Sequence, residues 1–149
     1  MRVLLVTVFI TAAVTTAEAQ ILGYGVAGPA GTSGFIDTGV TFHGAGGAEI
    51  VAGDRVGVGS EFGVFDRLIT TSGNLTVYVA GQRGFVSGGY SRMGIGDGEE
   101  AFSAFNVGAG AHVWFGEHTG LRLEFRDHMR PDDRGTTHYW TARAGIVFR

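Results

Sequence analysis

The 149-residue chain has no cysteine, no lysine and only two prolines. Without cysteine it has no disulfide staples, so an exported chain of this size must draw its stability from elsewhere. All eleven positive side chains are arginines and the formal charge is −3. The arginines are scattered singly, and no basic stripe of the kind that tracks nucleic acid appears. Beyond the first twenty residues no apolar stretch has the length of a membrane helix, and no helical apolar period lasts more than a turn or two, which argues against a helix-rich fold.

Glycine, by contrast, is plentiful: 27 residues against a usual ~7%. There is no G-x-y period, which excludes collagen. Many of the glycines stand two apart inside what otherwise reads as strand. That spacing weakens an ordinary sheet, but it suits a narrow barrel whose inner wall must be small.

The chain opens as a secretory signal. Met1-Arg2 is a minimal positive region, Val3 to Thr15 is apolar, and Ala17-Glu18-Ala19 is an A-x-A cleavage site. The expected division is therefore a signal peptide over 1–19 and one domain over 20–149. No cysteine follows the cleavage site, so a lipid-anchored N-terminus is not expected.

The most informative stretch is Ser103 to Met129. Side chains of a strand alternate faces with period two. Phe105, Val107, Ala109, Ala111, Val113 and Phe115 share one parity, while Asn106, Gly108, Gly110, His112 and Trp114 share the other. After the turn Gly116–Gly120, Leu121, Leu123 and Phe125 alternate with Arg122, Glu124 and Arg126. A soluble sheet would bury the greasy face, whereas a membrane barrel turns it to lipid and keeps small and polar groups inside.

The same alternation recurs along the chain. Strands are expected at Ile21–Val26, Val40–Val51, Val56–Phe65, Asn74–Ala80, Phe85–Arg92, the two of the hairpin just described, and His138–Arg149. Three tight turns, at Ala52–Arg55, Gly81–Gly84 and Gly116–Gly120, fall on one side. The other side is expected to carry somewhat longer loops at Gly28–Gly34, Asp66–Gly73, Met93–Phe102 and Arg130–Thr137. Residues 57–62 echo residues 120–125, with Glu61 on Glu124 and parity preserved.

Eight alternating strands, the hairpin Gly108 to Phe125, the closing Ala144-Gly145-Ile146-Val147-Phe148 and the signal together resemble the outer-membrane β-barrel domain family, the small eight-stranded OmpA/OmpX-like barrels. The resemblance implies an all-β, antiparallel, up-and-down transmembrane barrel in the bacterial outer membrane. It also implies outer-membrane lipids and the barrel-assembly machinery as partners. Family members usually end on an aromatic residue; here Phe148 is penultimate and Arg149 follows.

Inward parity then assigns a lumen charge network of Glu49, Glu61, Glu124, Arg122, Arg126 and Arg143, with His112 beside it and His43 and His128 as further polar partners. Three acids meet three bases, as buried charges require. Outward parity leaves Asp127 and Arg92 as exceptions near the outer strand ends. Phe105, Phe115, Trp140 and Phe148 read as interfacial aromatics.

Other motifs fail in context. Gly23 to Gly28 spells G-x-G-x-x-G but opens no helix. Asp97-Gly98-Glu99-Glu100 reads as a solvated acidic loop, and the five histidines lack metal-pair spacing. Asn74-Leu75-Thr76 is only a formal glycosylation sequon. Ser60, Ser87, Ser91, Ser103 and His138 form no His-x-Ser pair. No cofactor, metal or catalysis is expected. The expected role is structural, or one of surface interaction through short outer loops. A small pore is the alternative, as is a soluble lipocalin-like exported barrel, which would reverse the faces.

Overall fold

The computed structural model describes residues 19–34, 39–95 and 101–149. Residues 1–18 of the expected signal peptide, and the acidic run at residues 97–100, lie outside the described residues; Ala19 already opens the first strand. Eight strands follow in order: β1 (Ala19–Ser33), β2 (Val40–Ala52), β3 (Val56–Phe65), β4 (Leu68–Val79), β5 (Gly84–Ile95), β6 (Phe102–Trp114), β7 (Thr119–Asp132) and β8 (Gly135–Phe148). Each pairs antiparallel with its neighbour, and β8 closes on β1 to complete the barrel. Following the rungs once around returns to β1 displaced by about ten residues, a shear that tilts the strands and lets eight of them enclose a packed interior.

All four expected outer loops are in part strand. Gly28 to Ser33 continues β1, Leu68 to Gly73 begins β4, Met93 to Ile95 ends β5, and Arg130–Asp132 and Gly135–Thr137 extend β7 and β8. At β4 the physical reason is that a lumen-facing strand residue is polar here, so Thr70 and Ser72 sit buried inside where a polar run reads as loop. In β1, Gly28 and Pro29 pass through the seam with β8: the pairing skips these two residues and resumes at Ala30↔Thr141. Proline has no N–H to give the ladder, and a Cβ at Gly28 would fall on the Ala142–Arg143 backbone.

The chain termini define the inner end of the barrel. Connections there are Gly53–Arg55, Ala80–Arg83 and Phe115–His118; at the outer end two of the four are the two-residue turns Asp66-Arg67 and Asp133-Arg134. At those two connections the expected contrast of short inner turns and longer outer loops is corrected, because strand extension consumes the loop. Gly53 and Asp54 both take positive φ, 57° and 56°, the pair of left-handed residues that matches the twist of a tight hairpin. At the second inner turn Ala80, Gly81 and Gln82 are all left-handed. This folds Gln82 back into the barrel mouth, where it is 1% exposed.

The two faces sort as the parity predicts. Ile21, Phe42, Ile50, Phe62, Leu75, Val79, Val86, Val113, Leu123 and Phe125 are exposed on the outer wall. Aromatics stand near both rims of that wall: Phe115 and Phe148 at the inner end, Phe42, Tyr90, Phe105 and Trp140 toward the outer. Tyr90 and Phe105 meet edge to face at 5.9 Å.

Candidate functional site

The interior is layered. At the outer end Phe65, Met93, Ala104, Ala30 and Tyr139 pack together, with Phe102 stacked on Tyr139. At the inner end Leu22, Val51, Tyr78 and Phe85 form a second apolar cluster with Trp114 against it. Gln82 joins this floor, donating to Gln20 Oε1 (3.1 Å) and Asp54 Oδ1 (2.8 Å).

Between the two caps lies the charge network. Arg143 grips Glu61 with both ends of its fork, Nη1 to Oε1 at 2.8 Å and Nη2 to Oε2 at 2.7 Å. Glu124 is the hub. Its Oε1 accepts from Arg126 Nε (2.8 Å) and Nη2 (2.7 Å), and its Oε2 from Arg122 Nε (2.9 Å), with Arg143 Nη2 at 3.1 Å. Glu49 accepts from the Tyr78 hydroxyl and lies 3.6 Å from Arg122. Tyr24 donates to Glu61 at 2.9 Å. Arg122 is sandwiched between the rings of Tyr24 (4.1 Å) and Phe85 (4.2 Å), so its flat cation is held by π faces as well as by carboxylates. The side chains of all six charged residues are at most 1% exposed.

Each residue assigned to the lumen from the sequence lies in it. Glu49, Glu61, Arg122, Glu124, Arg126 and Arg143 form one connected cluster, and His112 joins it at 3.3 Å from Arg122. Of the other two histidines, His128 contacts Ser91 (2.9 Å), while His43 packs edge-on against Phe65. The register sets Glu124 directly opposite Arg143, yet Arg143 makes its bidentate contact across the lumen with Glu61. The echo between residues 57–62 and 120–125 explains this geometry: Glu61 on β3 and Glu124 on β7 stand four strands apart and approach the same guanidinium from opposite walls.

Glycine makes the room. Gly47 lies opposite Glu61 in the register, and a Cβ there would strike the Tyr24 ring and hydroxyl; at Gly108 it would press on Glu124 and Ser87, and at Gly110 on the Phe85 ring. Small residues on one strand are thus filled by large ones from the next.

Sequence reasoning missed Gln82, Tyr24 and Tyr78 as parts of this interior, although Tyr78 had the inward parity that could have found it. Among the described residues no group of three potential metal ligands comes together, and no helix is long and apolar enough to cross a membrane.

A charged, hydrogen-bonded inside and an apolar outside are the reverse of a soluble ligand-carrying barrel. The likeness to solved structures agrees. The N-terminal β-barrel domain of Pseudomonas aeruginosa OprF superposes with a TM-score of 0.64 at 18% identity, over 85% of this chain and 96% of that one. The fold is that of the small outer-membrane β-barrels. Neisserial surface protein A gives a TM-score of 0.68 at 11% identity, over 88% and 98% of the two chains. A de novo designed transmembrane barrel, TMB2.3, gives 0.52 at 18%, over 91% and 98%. No family profile and no curated protein matches the chain. The outer-membrane barrel fold accounts for the exposed apolar wall, which faces lipid.

The penultimate position of Phe148 also has a structural counterpart. Arg149 lies over the Trp114 ring at 4.3 Å, donates from Nε to Glu117 O (2.6 Å) and from its backbone N to His118 O (3.0 Å). The last residue is tied to the β6–β7 turn, and Phe148 keeps its outward, lipid-facing place.

Proposed function

We propose that this chain is a structural barrel of the bacterial outer membrane, holding lipid on its outside and passing nothing through its inside. The observation that carries this reading is the closed stack of the lumen: an aromatic cap, a charge-balanced layer, and a second cap floored by Gln82. An open pore would need charges that face water, but these are withdrawn from it and paired. The outer-membrane lipids and the barrel-assembly machinery are the partners this reading requires, the latter meeting an outward Phe148 with Arg149 folded back on the turn.

Any surface interaction works through the outer connections. The two fully described outer turns offer Asp66, Arg67, Asp133 and Arg134, so a partner would meet a small patch of mixed charge. The carboxylates and guanidiniums of the lumen are engaged with one another, which supports a structural rather than a catalytic interior. Planar-bilayer recording on purified, heat-modifiable protein tests the reading. No steady conductance is expected from the native chain. A stable conductance that rises when Arg122 or Glu61 is removed would replace the structural barrel with a gated pore.

A further inference from the structure

One ionisable pair lies on the wrong side of the wall. Asp127 on β7 and His138 on β8 both have outward parity, and Asp127 Oδ2 is 2.6 Å from His138 Nδ1. The aspartate side chain is 20% exposed and the histidine 40%. Asp127 is set between Val107 and Trp140, its cross-strand neighbours on β6 and β8. A carboxylate only accepts hydrogen bonds, so the neutral ring carries its proton on Nδ1 and turns an unprotonated Nε2 outward. The barrel's closing seam then adds a third member, for Ser33 is the direct partner of His138 across β1 and β8. Directly opposed residues share a face, with Cβ atoms about 4.5–5.5 Å apart. No hydrogen bond joins Ser33 to His138 among the described residues; catalytic hydrogen bonds commonly form or tighten only in the occupied site.

We propose that Ser33, His138 and Asp127 form an acyl-transfer site on the outside of the barrel, acting on carboxylic esters of lipids in the outer leaflet. Ser33 and His138 are the catalytic residues; Asp127 positions the ring. The location selects the substrate. Ser33 ends its strand at the outer rim, where a lipid's ester linkages lie. Below it, toward the bilayer centre, the same wall carries a shallow groove of about 580 Å³ whose outer surface is made by Ala27, Pro29, Ala109, Leu123, Ala142 and Ala144. It begins roughly 13 Å along β8 from His138 at ~3.3 Å per residue, past Trp140, which covers Gly31. A chain descending from an ester at Ser33 enters it.

The chemistry balances with water alone. The Ser33 oxygen bonds to the ester carbonyl carbon as its proton passes to His138 Nε2. The carbon–oxygen bond to the alcohol then breaks, and the proton on Nε2 goes to the leaving alkoxide. Water from the rim attacks the acyl-serine, giving its proton to Nε2. Collapse releases the fatty acid and restores the Ser33 hydroxyl with that proton. The Asp127 carboxylate steadies the imidazolium formed in each half.

This goes beyond the structural reading and is measured separately from conductance. The full chain, folded in phosphatidylcholine vesicles and heat-modifiable, is treated with an alkyl fluorophosphonate and assayed on p-nitrophenyl dodecanoate and acetate. A single adduct at Ser33 is expected, with the dodecanoate cleaved at least ~10-fold faster than the acetate and Ala142→Leu narrowing that preference. Ser33→Ala and His138→Asn should each lose at least ~100-fold. Asp127→Asn should lower kcat with KM held, and Asp127→Glu should restore part of it, which a purely structural carboxylate would not do. Because Ser33 is exposed, its replacement leaves the fold intact, and Ser33→Thr provides a second check on the nucleophile. No adduct on the native protein, an adduct elsewhere, or hydrolysis that survives Ser33→Ala overturns the proposal.

Discussion

The grip of Arg143 on Glu61 can be weighed against its contact with Glu124, because the two carboxylates keep different company. Replacing Arg143 by Met leaves Glu61 at the end of the network with the Tyr24 hydroxyl at 2.9 Å and Arg126 Nη1 only at 3.7 Å. Glu124 loses less, since Arg122 at 2.9 Å and Arg126 at 2.7 Å remain. Stranding one buried charge is worth about 3–5 kcal/mol, and that is the expected loss for Arg143→Met. Adding Glu61→Gln removes the stranded charge while keeping a polar partner for Tyr24. The double variant should therefore recover at least ~1.5 kcal/mol relative to the sum of the singles, within the range of buried coupling energies. The cycle built on Glu124→Gln with Arg143→Met should show a smaller coupling. Guanidinium unfolding from lipid vesicles, followed by tryptophan emission and by loss of the heat-modifiable band, supplies the free energies. Additivity within about 0.5 kcal/mol in the Glu61 cycle, or a larger coupling in the Glu124 cycle, refutes the argument.

Three further outcomes follow from the two faces and the last residue. Leu123→Arg places a charge in lipid on the middle of β7 and should destabilise the folded barrel by about 2–4 kcal/mol; equal folding yield and midpoint in vesicles would mean the face is wrong. Gly110→Leu drives a side chain into the Phe85 ring and the β7 backbone, and overpacking of this kind commonly takes about 1–3 kcal/mol, read as a lower unfolding midpoint. Arg149→Ala removes the cation above Trp114, worth about 0.5–1 kcal/mol, and should shift the emission of that tryptophan; an unchanged spectrum would mean the C-terminal tie does not persist in the membrane.

The faces were legible because one face carries small and charged residues while the other is uniformly greasy, and a period-two alternation survives any error in strand ends. The register that sets Glu124 opposite Arg143 follows once the β7–β8 turn is centred on Asp133-Arg134, since antiparallel partners keep a constant sum. Strand ends were not legible. Thr70 and Ser72 look like loop until it is known that the inside of this barrel is the polar side. The choice of Glu61 as the bidentate partner of Arg143 was hidden too, because it depends on curvature bringing β3 across the lumen to β8. The trio of Ser33, Asp127 and His138 was out of reach for a related reason: local spacing does not relate Ser33 to the other two, and the seam between the first and last strands does.

That seam bears on how the barrel comes into being. Seven of its eight strand pairings join neighbours in sequence and can form as the chain is extended, but β1 finds β8 only after everything between them exists. Until then the sheet has two open edges, each a row of unpaired backbone groups able to recruit another chain, and the entropy of joining the ends falls on the final step. Arg143 rides on β8, so its clasp on Glu61 across the lumen must wait for that step. Closure of the wall and drying of the interior are then one event. A half-built barrel keeps its charges wet, and only the finished one asks them to find each other.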